Sequence, residues 1–194
     1  MYKLKEMIIE SVISRVIEQQ KSRITSLDTG LKRELVPATR SLSSHALIIS
    51  GIRRCGKSTL LMQMMKGMDD NSLLYLNFES PQLYEFSLND FARLDNIVGR
   101  RGAVTIFFDE IQRVEGWEAY VRQKLDEGFR VIITGSNASL LSKELGTRLT
   151  GRHITQELFP FSYGEYLAFR SLEASPESLE SYMSEGGFPG FLKS

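Results

Sequence analysis

The residues with the clearest chemical spacing run from Gly51 to Thr59: Gly51-Ile-Arg53-Arg54-Cys55-Gly56-Lys57-Ser58-Thr59. This is the pattern G-x-x-x-x-G-K-[ST], a loop whose main-chain N–H groups cradle phosphate oxygens. Each residue type has a job. Gly51 and Gly56 admit backbone angles and close approaches that a Cβ would block. Lys57 brings a point charge to the β- and γ-phosphates, and Ser58 offers a hydroxyl to Mg²⁺. The helix that opens at Ser58 turns its positive dipole end toward the anion. Arg53 and Arg54 lie within the loop, where they either touch phosphate or a neighbouring carboxylate or simply face water.

A second pattern lies about fifty residues downstream, in Ile106-Phe-Phe-Asp109-Glu110. A carboxylate at the C-terminal end of a buried strand sits where an open α/β sheet places its ligand. Asp109 is suited to hold the Mg²⁺ that Ser58 also meets. Glu110 is suited to orient and deprotonate an attacking water. The plain alternative is a pair of carboxylates that solvate a strand end. The polar run Thr134-Gly-Ser136-Asn137 closes another strand, where Ser136 can sense the γ-phosphate or serve an ordinary turn. Phosphoryl transfer also gains from an arginine on the developing charge, in cis or from a neighbour. Arg152, after Gly151 and before a strand, is the preferred candidate, and Arg148 is the second.

These residues need a sheet to position them. Apolar runs at Ala46–Ser50, Leu73–Phe78, Ala103–Phe108, Arg130–Thr134 and His153–Leu158 read as strands. Helical patterns follow the loop and cover 91–98 and 117–126. Alternating strands and helices predict an α/β fold, a parallel sheet with helices on both faces. Ser162 and Glu165 have capping-box spacing, which starts a helix through about Arg170. Residues 2–20 carry Leu4, Ile8, Val12, Ile13, Val16 and Ile17 at helical spacing, and a second amphipathic segment is expected over Ser26–Leu35. The chain divides into an N-terminal helical arm (1–40), a nucleotide-binding core (41–170) and the start of a truncated C-terminal region (171–194).

Composition bounds the rest. Of 194 residues, 42% are hydrophobic, and Lys+Arg and Asp+Glu each total 24. No net field favours nucleic acid, and the basic pairs Arg53/Arg54 and Arg100/Arg101 form no stripe. One cysteine allows no internal disulfide. No apolar run reaches the ~20 residues of a membrane span, so no membrane partner and a cytoplasmic location are the expectation.

Taken together, the chain resembles the AAA-type P-loop ATPases, in particular a bacterial and archaeal family of predicted ATPases. The matching features are G-x-R-R-x-G-K-S-T-L-L at 51–61, Asn77-Phe-Glu79, Phe108-Asp-Glu-Ile-Gln112, Thr134-Gly-Ser136 and Leu149-x-Gly-Arg152. Leu158-x-Pro-x-Ser162-x-x-Glu165-Tyr-Leu167 also matches. The resemblance implies a sheet ordered 5-1-4-3-2, Mg²⁺-dependent ATP binding and hydrolysis, and Glu110 as base. It also implies that Asn77 can hold that glutamate inactive until a partner binds. Family members carry a nuclease-like domain that opens near a Gly-Gly-Phe-Pro motif, which stands here at 186–189. The attached domain or an unidentified protein partner is then what ATP turnover moves, and assembly into a homo-oligomer is left open. Cys55 replaces a small aliphatic or hydroxyl residue. It is read either as tight packing or as an oxidation-sensitive thiol of lowered pKa. A nucleotide-dependent switch with negligible turnover is the alternative function, and a DNA-associated ATPase ranks below both. A small-molecule kinase or GTPase fits less well, because an acidic pair prepares a water and no Asn-Lys-x-Asp pattern occurs.

Overall fold

The computed structural model describes residues 8–35, 44–136 and 147–192. Five strands form one sheet: β1 Ala46–Gly51, β2 Leu73–Asn77, β3 Thr105–Asp109, β4 Arg130–Ser136 and β5 His153–Glu157. All pairings are parallel and the order is β2-β3-β4-β1-β5. The chain is an α/β P-loop fold, with β4 inserted between the loop strand β1 and the acidic strand β3. The expected order 5-1-4-3-2 is the one found.

The helices are α1 Glu10–Ser26, α2 Lys57–Met65, α3 Phe91–Arg101, α4 Trp117–Asp126, α5 Tyr163–Arg170, α6 Pro176–Glu185 and α7 Pro189–Leu192. Two cores lie on opposite faces of the sheet, because alternate strand residues point to opposite sides. On one face Ile48, Leu76, Phe108 and Ile133 meet α1, α3 and α4. On the other, Ile49, Phe107 and Ile132 meet Leu60 and Leu61 of α2. Each fully buried aliphatic or aromatic side chain here contributes about 1.5–3 kcal/mol.

Helix α1 packs along β2, which pairs with β3 on one side and is the edge strand on the other. The Gln20 side chain closes that edge at its end: its Nε2 donates to Asn77 O at 3.0 Å and its Oε1 accepts Asn77 N–H at 2.8 Å. Ile13, Val16 and Ile17 are its buried stripe. Of the expected 2–20 helix, residues 1–7 fall outside the described residues, and the helix runs on to Ser26.

The second helix expected over Ser26–Leu35 does not form. Residues 27–35 run irregularly, because Asp28 Oδ1 accepts Gly30 N–H at 2.9 Å and Gly30 takes φ 61°. This Asx turn competes with a helix. Gln63 of α2 then holds the segment, donating to Thr29 O and Leu31 O and accepting Arg33 N–H. The segment is thereby laid beside the phosphate loop.

The capping box forms as expected: Ser162 accepts Glu165 N–H and Glu165 accepts Ser162 N–H. Beyond α5 the chain folds back. Phe161, Tyr166 and Leu192 share a small core with Tyr182 and Leu31 against it.

Candidate functional site

The loop between β1 and α2 takes its shape from two left-handed residues and one glycine with no room for a side chain. Arg54 has φ 69° and Gly56 φ 102°, left-handed values that turn successive peptides into a concave nest. At Gly51, a Cβ would lie 2.4 Å from Leu158 O and 2.8 Å from the Cys55 sulfur, so only glycine fits. Lys57 is 6% exposed and spans the loop, its Nζ donating to Gly51 O at 2.9 Å and Ile52 O at 3.1 Å. A buried ammonium without a counter-ion is costly, and these two carbonyls satisfy it while leaving its third proton for an anion.

The loop opens onto a cleft of about 640 Å³, lined by Arg53, Arg54, Gly56, Lys57, Ser58 and Thr59. Glu79, Glu110, Gln112 and Arg113 line its other wall, with Pro189 and Gly190 at the rim. Six of the sequence-derived loop residues, from Arg53 to Thr59 without Cys55, therefore meet Glu110 in one cavity, while Gly51, Cys55 and Asp109 do not line it. Pro189 and Gly190 are additions that no local spacing announces. They arrive because the chain folds back through Gly187, whose carbonyl accepts Phe161 N–H at 2.7 Å.

Asp109 is fully buried at the tip of β3. Tyr75 O–H and Asn77 Nδ2 both donate to its Oδ2 at 2.9 Å, and Thr134 O–H donates to its Oδ1. Burial, then the charge of Asp109, pushes the Tyr75 phenol far up, so Tyr75 stays a donor. A carboxylate has about four lone-pair directions. The described residues take three, which leaves one on Oδ1.

Glu110 follows with φ 56°, a left-handed angle that costs a non-glycine residue of order 1–3 kcal/mol. Its N–H donates to Thr134 Oγ1 at 3.4 Å, and its Oε2 accepts Gln112 Nε2 at 2.5 Å. Thr134 thus touches both acidic residues from the intervening strand. Ser136 ends β4 in register with Gly51, while Asn137 lies outside the described residues.

Other expected residues sit elsewhere. Arg152 precedes β5, and His153 is paired with Ala46 at the start of β1. The loop leaves the other end of β1, about 17 Å away for five strand steps. Arg152 pairs there with Asp126 at 2.7 Å, so the structure does not bring it to the cleft of its own chain. Arg148 pairs with Glu118 at 3.0 Å. Arg53 is largely exposed and 4.0 Å from Glu79, which Arg113 also meets at 3.0 Å. Arg54 lies over the Phe191 ring at 5.5 Å. Cys55 is fully buried, and burial pushes its thiol up despite the pull of Lys57 and Arg33. Burial and the raised thiol both fit the tight-packing reading of Cys55.

Comparison with known proteins agrees with this geometry. The AAA domain family model matches residues 43–167. An uncharacterized protein of Methanocaldococcus jannaschii is 32% identical over 95% of this chain and 43% of its own length. An uncharacterized Haemophilus influenzae protein is 37% identical over 75% of this chain and 40% of its own. The chain thus spans less than half the length of the curated relatives it matches. Among solved structures, the S. cerevisiae Hsp104–ADP complex superposes with TM-score 0.50 at 15% identity, covering 94% of this chain and 28% of that one. AMPPCP-bound DnaA from Aquifex aeolicus gives 0.46 at 17% identity, covering 99% and 62%. The glycine-bounded loop on β1, the acidic pair at the tip of β3 and the matched span agree: the chain belongs to the AAA domain family of P-loop ATPases.

Proposed function

We propose that this chain binds ATP with Mg²⁺ in the cleft and hydrolyses it, coupling turnover to the motion of an attached domain or a protein partner in the cytoplasm. The carrying observation is that one cavity holds the nest of loop amides, Lys57, Ser58 and Glu110. The triphosphate is recognised by main-chain N–H groups and the Lys57 ammonium. Arg53 and Arg54 add positive charge at the rim.

The residues present fit a magnesium ion. Among the described residues no cluster of three or more His, Cys, Asp or Glu side chains could hold a metal alone. Mg²⁺ is commonly held by one or two protein oxygens, waters and substrate phosphates, and Ser58 with the remaining lone pair of Asp109 matches that donor set. Bound there, it would neutralise charge on the phosphates. Glu110 accepts the proton of the attacking water, and Thr134 holds its backbone beside Asp109.

Lys57→Ala is expected to abolish binding of a fluorescent ATP analogue, and Glu110→Gln to keep binding and lose phosphate release. Glu110→Gln turning over ATP at the parent rate would show that another group is the base. A nucleotide-dependent switch remains the second reading, favoured by the hydrogen bond that already occupies Glu110. Phosphate release near background in the parent chain, with tight binding, would select it.

Arg152 serves this reaction only from a neighbouring copy, since its own cleft lies at the other end of the sheet. No helix among the described residues is long and apolar enough to cross a membrane.

A further inference from the structure

Arg33 stands on the irregular segment between α1 and β1, and no spacing links it to the phosphate loop. The fold nevertheless buries it to 6% exposure against that loop. Its guanidinium makes four directed hydrogen bonds. Nε donates to Glu165 Oε1 at 2.7 Å and one terminal nitrogen to Glu165 Oε2 at 3.0 Å, a forked pair. That same nitrogen donates to Phe159 O at 2.8 Å. The other donates to Cys55 O at 2.9 Å, inside the phosphate loop. The Phe161 ring covers the group at 5.0 Å.

A buried ion pair that only fastened the segment to α5 would need the carboxylate bonds alone. The bond to Cys55 O does something further. In a planar trans peptide the C=O and the following N–H point in opposite directions. A donor fixed on the outer side of the loop at Cys55 O therefore turns the Gly56 N–H inward, toward the cleft. Gly56, at φ 102°, has little of its own to hold that angle. Arg33 backs it directly, its nearer terminal nitrogen 3.5 Å from where a Gly56 Cβ would stand. Glu165 in turn accepts Glu34 N–H and Ser162 N–H, both at 3.0 Å, so the carboxylate that aims the guanidinium is itself held from two sides.

We propose that Arg33, aimed by Glu165, is a positioning residue of the phosphate loop: it pins the Cys55 carbonyl outward and so pre-orients the Gly56 amide toward bound phosphate. This rests on the nucleotide reading above. Pre-orientation lowers the ordering cost of binding, so the effect falls on affinity. Lysine cannot replace it, because a single ammonium has no fixed fork to meet Glu165 and Cys55 together.

The test titrates a fluorescent ATP analogue with Mg²⁺ into the full chain, Arg33→Lys and the double variant Arg33→Met/Glu165→Met. Each is measured well below its own melting temperature, where it is fully folded by circular dichroism. A merely structural role lowers the melting temperature and leaves the affinity of folded protein unmoved. The expected result is a loss of about tenfold or more in both variants, the scale of one charge-assisted hydrogen bond. Folded variants that bind like the parent overturn the positioning role and leave the nucleotide reading intact. A parent chain that binds no analogue overturns the nucleotide reading itself. Arg33→Lys keeps the buried charge, so it carries the test if the double variant does not fold.

Discussion

The Asn77 amide donates to Asp109 Oδ2 at 2.9 Å, while its own oxygen accepts Glu79 N–H at 2.7 Å, and neither end reaches Glu110. The side chain that does meet Glu110, the proposed base, is Gln112, which donates to Glu110 Oε2. The other end of Gln112, its buried Oε1, accepts no hydrogen bond from the described residues, so a single bond between these side chains holds the pair. A hydrogen bond to a charged carboxylate is worth about 1.5–3 kcal/mol and favours the ionised form, so it makes Glu110 a weaker base. Gln112→Ala is expected to raise basal phosphate release about tenfold with nucleotide affinity unchanged. Asn77→Ala is expected to lower it, because Asp109 loses a donor. Steady-state phosphate release distinguishes them, and a rise in Asn77→Ala would return the restraint to Asn77.

The return of the chain to the cleft depends on one glycine. A Cβ at Gly187 would stand 2.3 Å from Phe161 O and 3.1 Å from Phe161 N, and both are backbone atoms that cannot swing aside. Gly187→Ala is expected to cost about 1–3 kcal/mol, as overpacking does. In a chain of this size that lowers the melting temperature by about 2–12 °C. Gly190→Ala is the control, since none of the described residues lies within 4 Å of a Cβ there. Thermal unfolding by circular dichroism should separate the two variants.

Acid should loosen the junction of Arg33 and Glu165. Burial alone would push the Glu165 carboxyl up, but Arg33 and the amides of Glu34 and Ser162 outweigh it and hold it below the usual carboxylate range. A carboxylate with a depressed folded pKa adds stability that is present above its unfolded value, near 4.5, and lost as pH falls through the folded one. Glu165→Gln is therefore expected to be less stable than the parent at neutral pH by about 3–5 kcal/mol, leaving Arg33 buried and uncompensated. That gap should narrow as pH falls below about 4.5. Urea unfolding of both proteins at neutral and acid pH measures it, and a gap independent of pH would remove Glu165 as the titrating group.

Local pattern carried the loop and the strands far into the structure. Gly51, Gly56 and Lys57 are fixed by short-range backbone demands, and β1 and β3 are uninterrupted apolar runs because both faces of a parallel strand are covered. Long-range partners left no such trace. Arg33 is 132 positions from Glu165 and 22 from Cys55, and neither interval has meaning on a helix or strand. Arg152 was placed by its glycine, yet its rank before a parallel strand already put it at the end opposite the loop. The irregular course of 27–35 was written locally in Asp28-Thr-Gly30, a turn signal outweighed by the apolar spacing around it.

Cys55 offers the last test, because its two readings differ in rate. The sulfur is fully buried among Ile49, Leu60 and Leu158 on the α2 face of the sheet. Only the thiolate attacks an alkylating reagent, and burial disfavours that charge. Lys57 and Arg33 pull the other way, but both positive charges are already engaged, Lys57 with loop carbonyls and Arg33 with Glu165. The folded chain is therefore expected to alkylate with iodoacetamide far more slowly than the urea-unfolded chain at the same mildly alkaline pH. With one cysteine in 194 residues, a single mass shift reports the reaction unambiguously. Reaction in the folded state as fast as in urea would place the thiol at the surface of the loop and restore the redox reading.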